Sequence, residues 1–124
     1  MLIEEYFQEI KQLIAQSYIV IDVQLITDKR SLYIGFLEGN LTFLDGSSLH
    51  FMEFVNVKVA MNRYKYSYHY QDTAEMLVFR YDMAPHHQNI RTFPHHKHLK
   101  NGHVVETKPP SFTEVLEEIE SMVM

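Results

Sequence analysis

A predicted β-hairpin over residues 63–82 carries ionisable side chains whose spacing could bring them together for chemistry. Both of its strands alternate aromatic or apolar residues with polar ones, and such alternation sends the two kinds of side chain to opposite faces of a sheet. Opposed residues of an antiparallel pair share a face, so the polar members of the two strands are expected to form one patch. These polar members are Lys65, Ser67, His69, Arg80 and Asp82.

The turn sequence QDTAE sets the expected pairing across this hairpin. Closing the turn over these residues places Ser67 opposite Arg80 and Lys65 opposite Asp82. His69 then lies within two positions of Arg80 on the same face, so a histidine is predicted beside a permanent cation.

These residue types match the needs of metal-independent RNA cleavage. Transesterification at an RNA phosphate requires a base for the 2′-hydroxyl proton, an acid for the leaving oxygen and cations for the developing charge. His69 and Glu53 are candidate bases, Arg80 and Lys65 are candidate phosphate clamps, and Asp82 completes the catalytic set. The candidate acids are His95, His96 and His98. The competing interpretation is structural: Arg80 and Asp82 form surface ion pairs with Lys65, and His69 is a half-exposed strand residue.

The paired histidines after the hairpin could instead bind a divalent metal such as zinc, to which Asp82 could add a carboxylate. Their spacing matches neither a helical histidine pair nor a zinc finger, and adjacent histidines point in different directions. We therefore expect no cofactor and favour histidines that pack within a proline-framed loop. The alternative metal ligands are His86, His87, His96 and His98.

Two further features of the predicted sheet need an interpretation. Glu53 is inserted on the apolar face of a strand over residues 49–58, so it requires either a partner, with His69 or Arg80 as candidates, or a catalytic role. The tyrosine stripe could stack on RNA bases, but helices that need a surface to cover favour its burial in the core. This stripe consists of Tyr64, Tyr66, Tyr68 and Tyr70.

The order of predicted elements is a helix, several antiparallel strands, a long loop and a second helix. Helical spacing of apolar residues predicts helices over 2–15 and 112–123, and Ser111 with Glu114 forms a capping box before the second. Asp45–Gly46 is the strongest hairpin signal. The remaining strands are predicted over 18–26, 32–37, 41–44 and 49–58. The fold class is therefore α+β: an antiparallel meander of about five or six strands flanked by the two helices, with a long His/Pro-rich loop before the last helix.

Length and composition agree with one domain over residues 1–124. The chain has no run of about 20 apolar residues, no signal-peptide pattern and no cysteine, so we expect a cytoplasmic protein without a membrane partner. Its net charge is −5, yet half of its sixteen acidic residues lie in the two terminal segments. Residues 83–105 contain no acidic residue, which leaves a local cationic surface open to an RNA substrate.

Four sequence islands, YHYQD, FRYD, APHH and FPHHKH, together with the preceding LTFLDGSSLHFMEF, resemble the TumE family of toxins from bacterial and archaeal toxin–antitoxin pairs. The resemblance spans nearly the whole chain and departs at residues 88–91, where a proline-containing link commonly joins the two histidine pairs. It implies a growth-inhibiting protein, suspected to be a nuclease, whose partner is a small antitoxin that often has a DNA-binding helix-turn-helix. It leaves a homodimer open. The residues that match the islands are His69, Tyr70, Gln71, Asp72, Arg80, Asp82, His86, His87, His95, His96 and His98.

Overall fold

In chain order, the protein has an N-terminal helix, an antiparallel sheet and a C-terminal helix, as the sequence patterns predict. A computed structural model describes residues 1–85 and 91–123. The elements in chain order are α1 (Ile3–Gln16), β1 (Val20–Lys29), β2 (Ile34–Phe43), β3 (Ser48–Asn56), β4 (Asn62–Gln71), β5 (Leu77–Asp82), β6 (His96–Leu99), β7 (Val104–Glu106) and α2 (Phe112–Val123). The seven strands described lie in sequence order, each antiparallel to the next, so the sheet is a simple meander. The α+β prediction is confirmed.

Both helices cover the same face of the sheet. Tyr6 of α1 donates a hydrogen bond to Glu53 of β3, and Phe112 of α2 packs on Phe51 of β3 with ring centroids 4.9 Å apart. Phe51 and Glu53 are two positions apart on one strand and therefore point to one side. The core lies between this helix-covered face and the helices, and no described helix covers the opposite face.

Strand β2 is continuous where the sequence predicts two strands separated by residues 38–40. Gly39 pairs with Leu25 on one side and with Phe51 on the other. A Cβ atom at position 39 would lie 2.6 Å from Cε1 of Phe51, so glycine is needed there for close packing. The glycine that suggested a turn is therefore a packing residue inside a strand.

The stretch after Asp82, predicted as one long loop, contains two short strands. Strand β6 pairs with β5, with Asp82 opposite His96 and Arg80 opposite His98. Gly102, with φ +88°, lies in the turn that leads back along β7. Strands of four and three residues carry too little sequence pattern to be recognised alone, and the pairing with β5 determines them. This explains why the sheet has more strands than predicted.

The hairpin at Asp45–Gly46 is confirmed. Gly46 has φ +84°, a conformation that glycine adopts without strain. The Asp45 carboxylate accepts a hydrogen bond from the Ser47 amide at 3.0 Å, and the turn closes through a bond from the Phe43 amide to the Ser47 carbonyl at 2.9 Å. Asp45 and Gly46 thus join β2 to β3 as their types predict.

The register of the β4–β5 hairpin differs from the prediction by two residues. His69 opposes Arg80 and Ser67 opposes Asp82, so the predicted pairings of Ser67 with Arg80 and of Lys65 with Asp82 are wrong. The register shifts at Tyr70/Gln71, where β5 accommodates an additional residue. Because the shift is an even number of residues, every polar side chain keeps its predicted face.

Candidate functional site

The sheet face opposite the helices, called here the open face, carries a row of polar residues on four adjacent strands. His50 of β3 pairs with His69 of β4, which pairs with Arg80 of β5, which pairs with His98 of β6. Neighbouring strands in a sheet lie about 4.8 Å apart, so these four side chains stand next to one another. The row places a guanidinium between two imidazoles.

A second polar row lies beside the first and is more deeply buried. Ser67, Asp82 and His96 pair across β4, β5 and β6, and all three are buried. His96 is only 2% exposed, and His98 is two residues further along the same strand face. The two rows together bring His69, Arg80, Asp82, His96 and His98 into one cluster.

Arg80 connects the two rows. Its Nε donates to Oδ2 of Asp82 at 2.8 Å, and its Nη1 lies 3.3 Å from Nδ1 of His69. A guanidinium only donates, so Nδ1 of His69 accepts in this contact. Burial lowers the pKa of His69 below its usual 6.5, and the positive charges of Arg80 and His50 lower it further. His69 is therefore a neutral imidazole at neutral pH.

Asp82 also holds the two histidines of β6. Its Oδ1 lies 2.5 Å from Nε2 of His96 and its Oδ2 lies 3.7 Å from Nε2 of His98. Nδ1 of His96 is 2.9 Å from the carbonyl oxygen of Pro94, and because a carbonyl only accepts, Nδ1 carries a proton. This bond fixes the ring so that Nε2 points at Asp82. One ligand atom each from Asp82, His96 and His98 lies within 4.8 Å of the others, the geometry of a candidate metal site.

Glu53 does not join this cluster. Its carboxylate accepts hydrogen bonds from the hydroxyls of Tyr6 and Tyr68 on the helix-covered face, and it is 1% exposed. Burial raises the pKa of both tyrosines, so their hydroxyls keep the protons that they donate. The predicted pairing of Glu53 with His69 or Arg80 is wrong because alternation sends it to the other side of the sheet.

His95 and Lys65 also lie apart from the cluster. His95 stacks on Tyr66 of the helix-covered face, with Nδ1 2.9 Å from the tyrosine hydroxyl. Lys65 is exposed and pairs with Phe54, away from Asp82, and it makes no ion pair with any residue in the described ranges. The alternative metal ligands His86 and His87 lie outside the described residues. Of the predicted acids, His96 and His98 lie on the open face, where His98 pairs with Arg80 and His96 pairs with Asp82.

The tyrosine stripe belongs mainly to the core. Tyr66, Tyr68 and Tyr70 are buried on the helix-covered face, as predicted, whereas Tyr64 is 44% exposed. Tyr64 lies at the shift in β3–β4 register, because Phe54 pairs with Lys65 and Val55 pairs with Arg63. Its ring packs on that of Phe54, with centroids 5.2 Å apart. The buried tyrosines are therefore not available to stack on a ligand.

His50 is a member of the polar row that sequence reasoning missed. Leu49, Phe51 and Glu53 point into the core, so the same alternation places His50 outward. Its Nε2 lies 3.6 Å from Oε1 of Glu38, and its charge contributes to the lowered pKa of His69. The alternation was legible in the sequence, but the pairing with His69 depends on the β3–β4 register.

Comparison with known proteins adds a family to this geometry. No curated protein and no solved structure matches the chain. Among the described residues, no helix is both long and apolar enough to cross a membrane. A family model described as Toxin TumE matches residues 10–123, which include every strand and α2. The chain therefore belongs to the TumE toxin family.

Proposed function

We propose that this toxin acts as a ribonuclease that cleaves RNA without a metal ion, using the cluster on the open face. The observation that carries the proposal is the placement of Arg80 between His69 and His98 on three adjacent strands. Such a row offers a cation for a phosphate and an imidazole on either side of it, which are the groups that transesterification needs.

His69 is assigned as the base. A general base must be unprotonated at the working pH, and the lowered pKa of His69 meets that condition. In the free protein its Nδ1 faces Nη1 of Arg80 at 3.3 Å. When a phosphate oxygen takes this guanidinium donor, the Nδ1 lone pair becomes available to the 2′-hydroxyl of the RNA.

Arg80 is assigned as the phosphate clamp. Asp82 accepts from its Nε at 2.8 Å and so fixes the plane of the guanidinium, while the side chain remains 36% exposed. A guanidinium presents a fixed fork of donors that fits two phosphate oxygens. Developing negative charge on the phosphorane would be stabilised at this position.

His98 is assigned as the acid because its ring is more accessible than that of His96. The side chain of His98 is 28% exposed and that of His96 is 2% exposed. In the reaction the 2′-oxygen forms a bond to phosphorus and the bond from phosphorus to the 5′-oxygen breaks. His69 takes the proton of the 2′-hydroxyl and His98 gives a proton to the 5′-oxygen. The products are a 2′,3′-cyclic phosphate and a 5′-hydroxyl.

Membership of a toxin family implies an antitoxin partner. We include in the proposal that this antitoxin is a small helix-turn-helix protein and that it relieves the toxicity of the chain. The competing function is a histidine-rich metal-binding or metal-dependent module without intrinsic ribonuclease activity. It is favoured by the convergence of Asp82, His96 and His98.

The test is cleavage of a labelled RNA by the purified chain in excess EDTA. We expect cleavage to persist, to yield a 2′,3′-cyclic phosphate and to stop when the nucleotide at the cleavage site lacks its 2′-hydroxyl. His69→Ala should abolish it, whereas His103→Ala, which alters an exposed histidine in the β6–β7 turn, should not. Loss of all cleavage in EDTA would favour the metal-dependent function, and full activity of His69→Ala would remove the base from this assignment.

A further inference from the structure

We infer that Asp82, His96 and His98 form a binding site for a divalent transition-metal cation such as zinc, and that the bound cation blocks RNA cleavage. The binding site is inferred from geometry alone. The blocking effect rests on the proposed function, because it requires these side chains to serve the reaction in their metal-free form.

The donor set suits this class of cation. Two imidazole nitrogens and one carboxylate oxygen are ligands that zinc, cobalt and nickel accept, and three protein ligands leave a coordination position open. Metal–ligand bonds of about 2.1 Å place tetrahedral ligand atoms about 3.4 Å apart. The three ligand atoms here lie within 4.8 Å of one another. A cation would require Oδ1 of Asp82 and Nε2 of His96, now 2.5 Å apart, to separate and the His98 ring to approach them.

The backbone holds these ligands in place before any cation arrives. His96 and His98 are two positions apart on β6 and so project from one face, and Asp82 stands directly opposite His96 on β5. All three positions therefore lie on paired strands, which orient ligands better than loops do.

A second observation is the bond between Nδ1 of His96 and the carbonyl oxygen of Pro94 at 2.9 Å. Histidines that bind metals generally donate their other ring nitrogen to a carbonyl or carboxylate, which fixes the tautomer and leaves the ligating nitrogen free of a proton. Here this bond directs Nε2 of His96 towards Oδ1 of Asp82, at 2.5 Å. The backbone amide of Ala84 also donates to Oδ1, at 3.3 Å, and helps to orient the carboxylate.

The site would exist in two states. Without metal, Oδ1 of Asp82 contacts Nε2 of His96 directly, at 2.5 Å. With metal, the cation lies between Asp82 and His96 and takes the Nε2 atom of His98, which is assigned as the acid of the cleavage reaction. Since an imidazole bound to the cation through Nε2 cannot give a proton from that atom to the 5′-oxygen, cleavage should fall as the site fills.

The experiment uses the full chain without an affinity tag, stripped of metal and titrated with Co²⁺ and with Zn²⁺. We expect one cation per chain by calorimetry and a visible Co²⁺ spectrum of low-symmetry nitrogen and oxygen coordination. His98→Ala and Asp82→Asn should weaken binding by at least about 100-fold, since loss of even an outer partner costs about 10–100-fold. His103→Ala is the matched control and should bind as the native chain does.

The outcomes separate the site from the proposed function. No stoichiometric binding, or binding that is the same in His98→Ala as in the native chain, would overturn the metal site. A thermal melt of each variant checks whether it is folded. The experiment replaces His98 because His96 is buried and its replacement could unfold the chain. Zn²⁺ that binds and lowers cleavage supports both parts of the inference. Zn²⁺ that stimulates cleavage would overturn the blocking effect and the metal-independent mechanism, while the site itself would stand. Binding without cleavage under any condition would contradict the proposed function alone.

Discussion

At the scale of single residues, the position of His69 on a strand determines its chemistry. Strand β4 buries its neighbours Tyr68 and Tyr70 and leaves the imidazole half-buried on the open face. Partial desolvation and the nearby charge of Arg80 both disfavour an imidazolium, so the pKa of His69 falls. A histidine beside a fixed cation is thus kept in the form that can accept a proton.

This shift can be measured by NMR titration of the His69 ring. We expect a pKa below 6.5 in the native chain, and cleavage that is lost as the pH falls through that pKa because the base becomes protonated. Arg80→Gln removes the positive charge and should raise the pKa of His69, although burial, the largest cause, will keep it lowered. Lys65→Gln is the control, since it removes a cation that does not act on His69. A native pKa above 6.5, or an equal rise in both variants, would contradict this electrostatic account.

Residue faces were more predictable than residue partners. Alternation alone placed His69, Arg80 and Asp82 on one side of the sheet, because side-chain direction depends only on the strand period. The partner of Glu53 could not be predicted, because Tyr6 is 47 residues away on a helix whose contact with the sheet is set by packing. The convergence of His98 on Asp82 depended in the same way on a strand without a clear sequence pattern.

At the scale of elements, Glu53 fastens α1 to the sheet. The carboxylate of this β3 residue receives the hydroxyls of Tyr6 from α1 and Tyr68 from β4. A buried carboxylate is costly unless its oxygens are paired, so loss of either hydroxyl leaves an unmet acceptor in the core. The network therefore couples a helix to two strands.

Tyr6→Phe should lower the free energy of unfolding by about 1.5–3 kcal/mol, the usual range for a hydrogen bond to a charged group. Tyr18→Phe changes a tyrosine that is 60% exposed and should leave stability nearly unchanged. Chemical denaturation of both variants gives the comparison, and Glu53→Gln should follow Tyr6→Phe. A catalytic Glu53 would make Glu53→Gln reduce activity more than stability; the buried network predicts the reverse. Lost cleavage at native stability would return Glu53 to a catalytic role.

Strands β1, β3 and β4 and both helices were predictable because each of their patterns runs for nine or more residues. Strand β6 was not, because HKHL offers four residues and little β-propensity. Its pairing with β5 aligns His98 with Arg80 and His96 with Asp82, and so brings both histidines to the site.

At the scale of the whole molecule, a meander with both helices on one face leaves the other face open for a ligand. Half of the acidic residues lie in the two terminal segments. Glu53 is buried on the helix-covered face and so does not add negative charge to the open face. The family, the α+β class and the side of the sheet that bears the polar patch all followed from patterns spread along the chain. The count of strands and the register of the central hairpin did not, because both depend on pairing between segments.

Expression of the chain alone is expected to slow bacterial growth, and co-expression of its antitoxin partner should restore growth. His69→Ala should remove the toxicity at equal protein levels, whereas His103→Ala should retain it. Growth curves with immunoblots of each variant make this comparison. Unimpaired growth at verified expression of the folded native chain would count against toxicity in that host, and toxic His69→Ala would separate toxicity from the proposed site.

The central claim is that His69 and Arg80 act on one phosphate, and a double-mutant cycle tests it most directly. The measured quantity is kcat/KM for RNA cleavage by the native chain, His69→Ala, Arg80→Ala and the double variant, with thermal melts to confirm folding. Residues that share a transition state give non-additive losses. The account predicts that the double variant is little worse than the worse single variant. Losses that multiply, or a single variant with native activity, would contradict it.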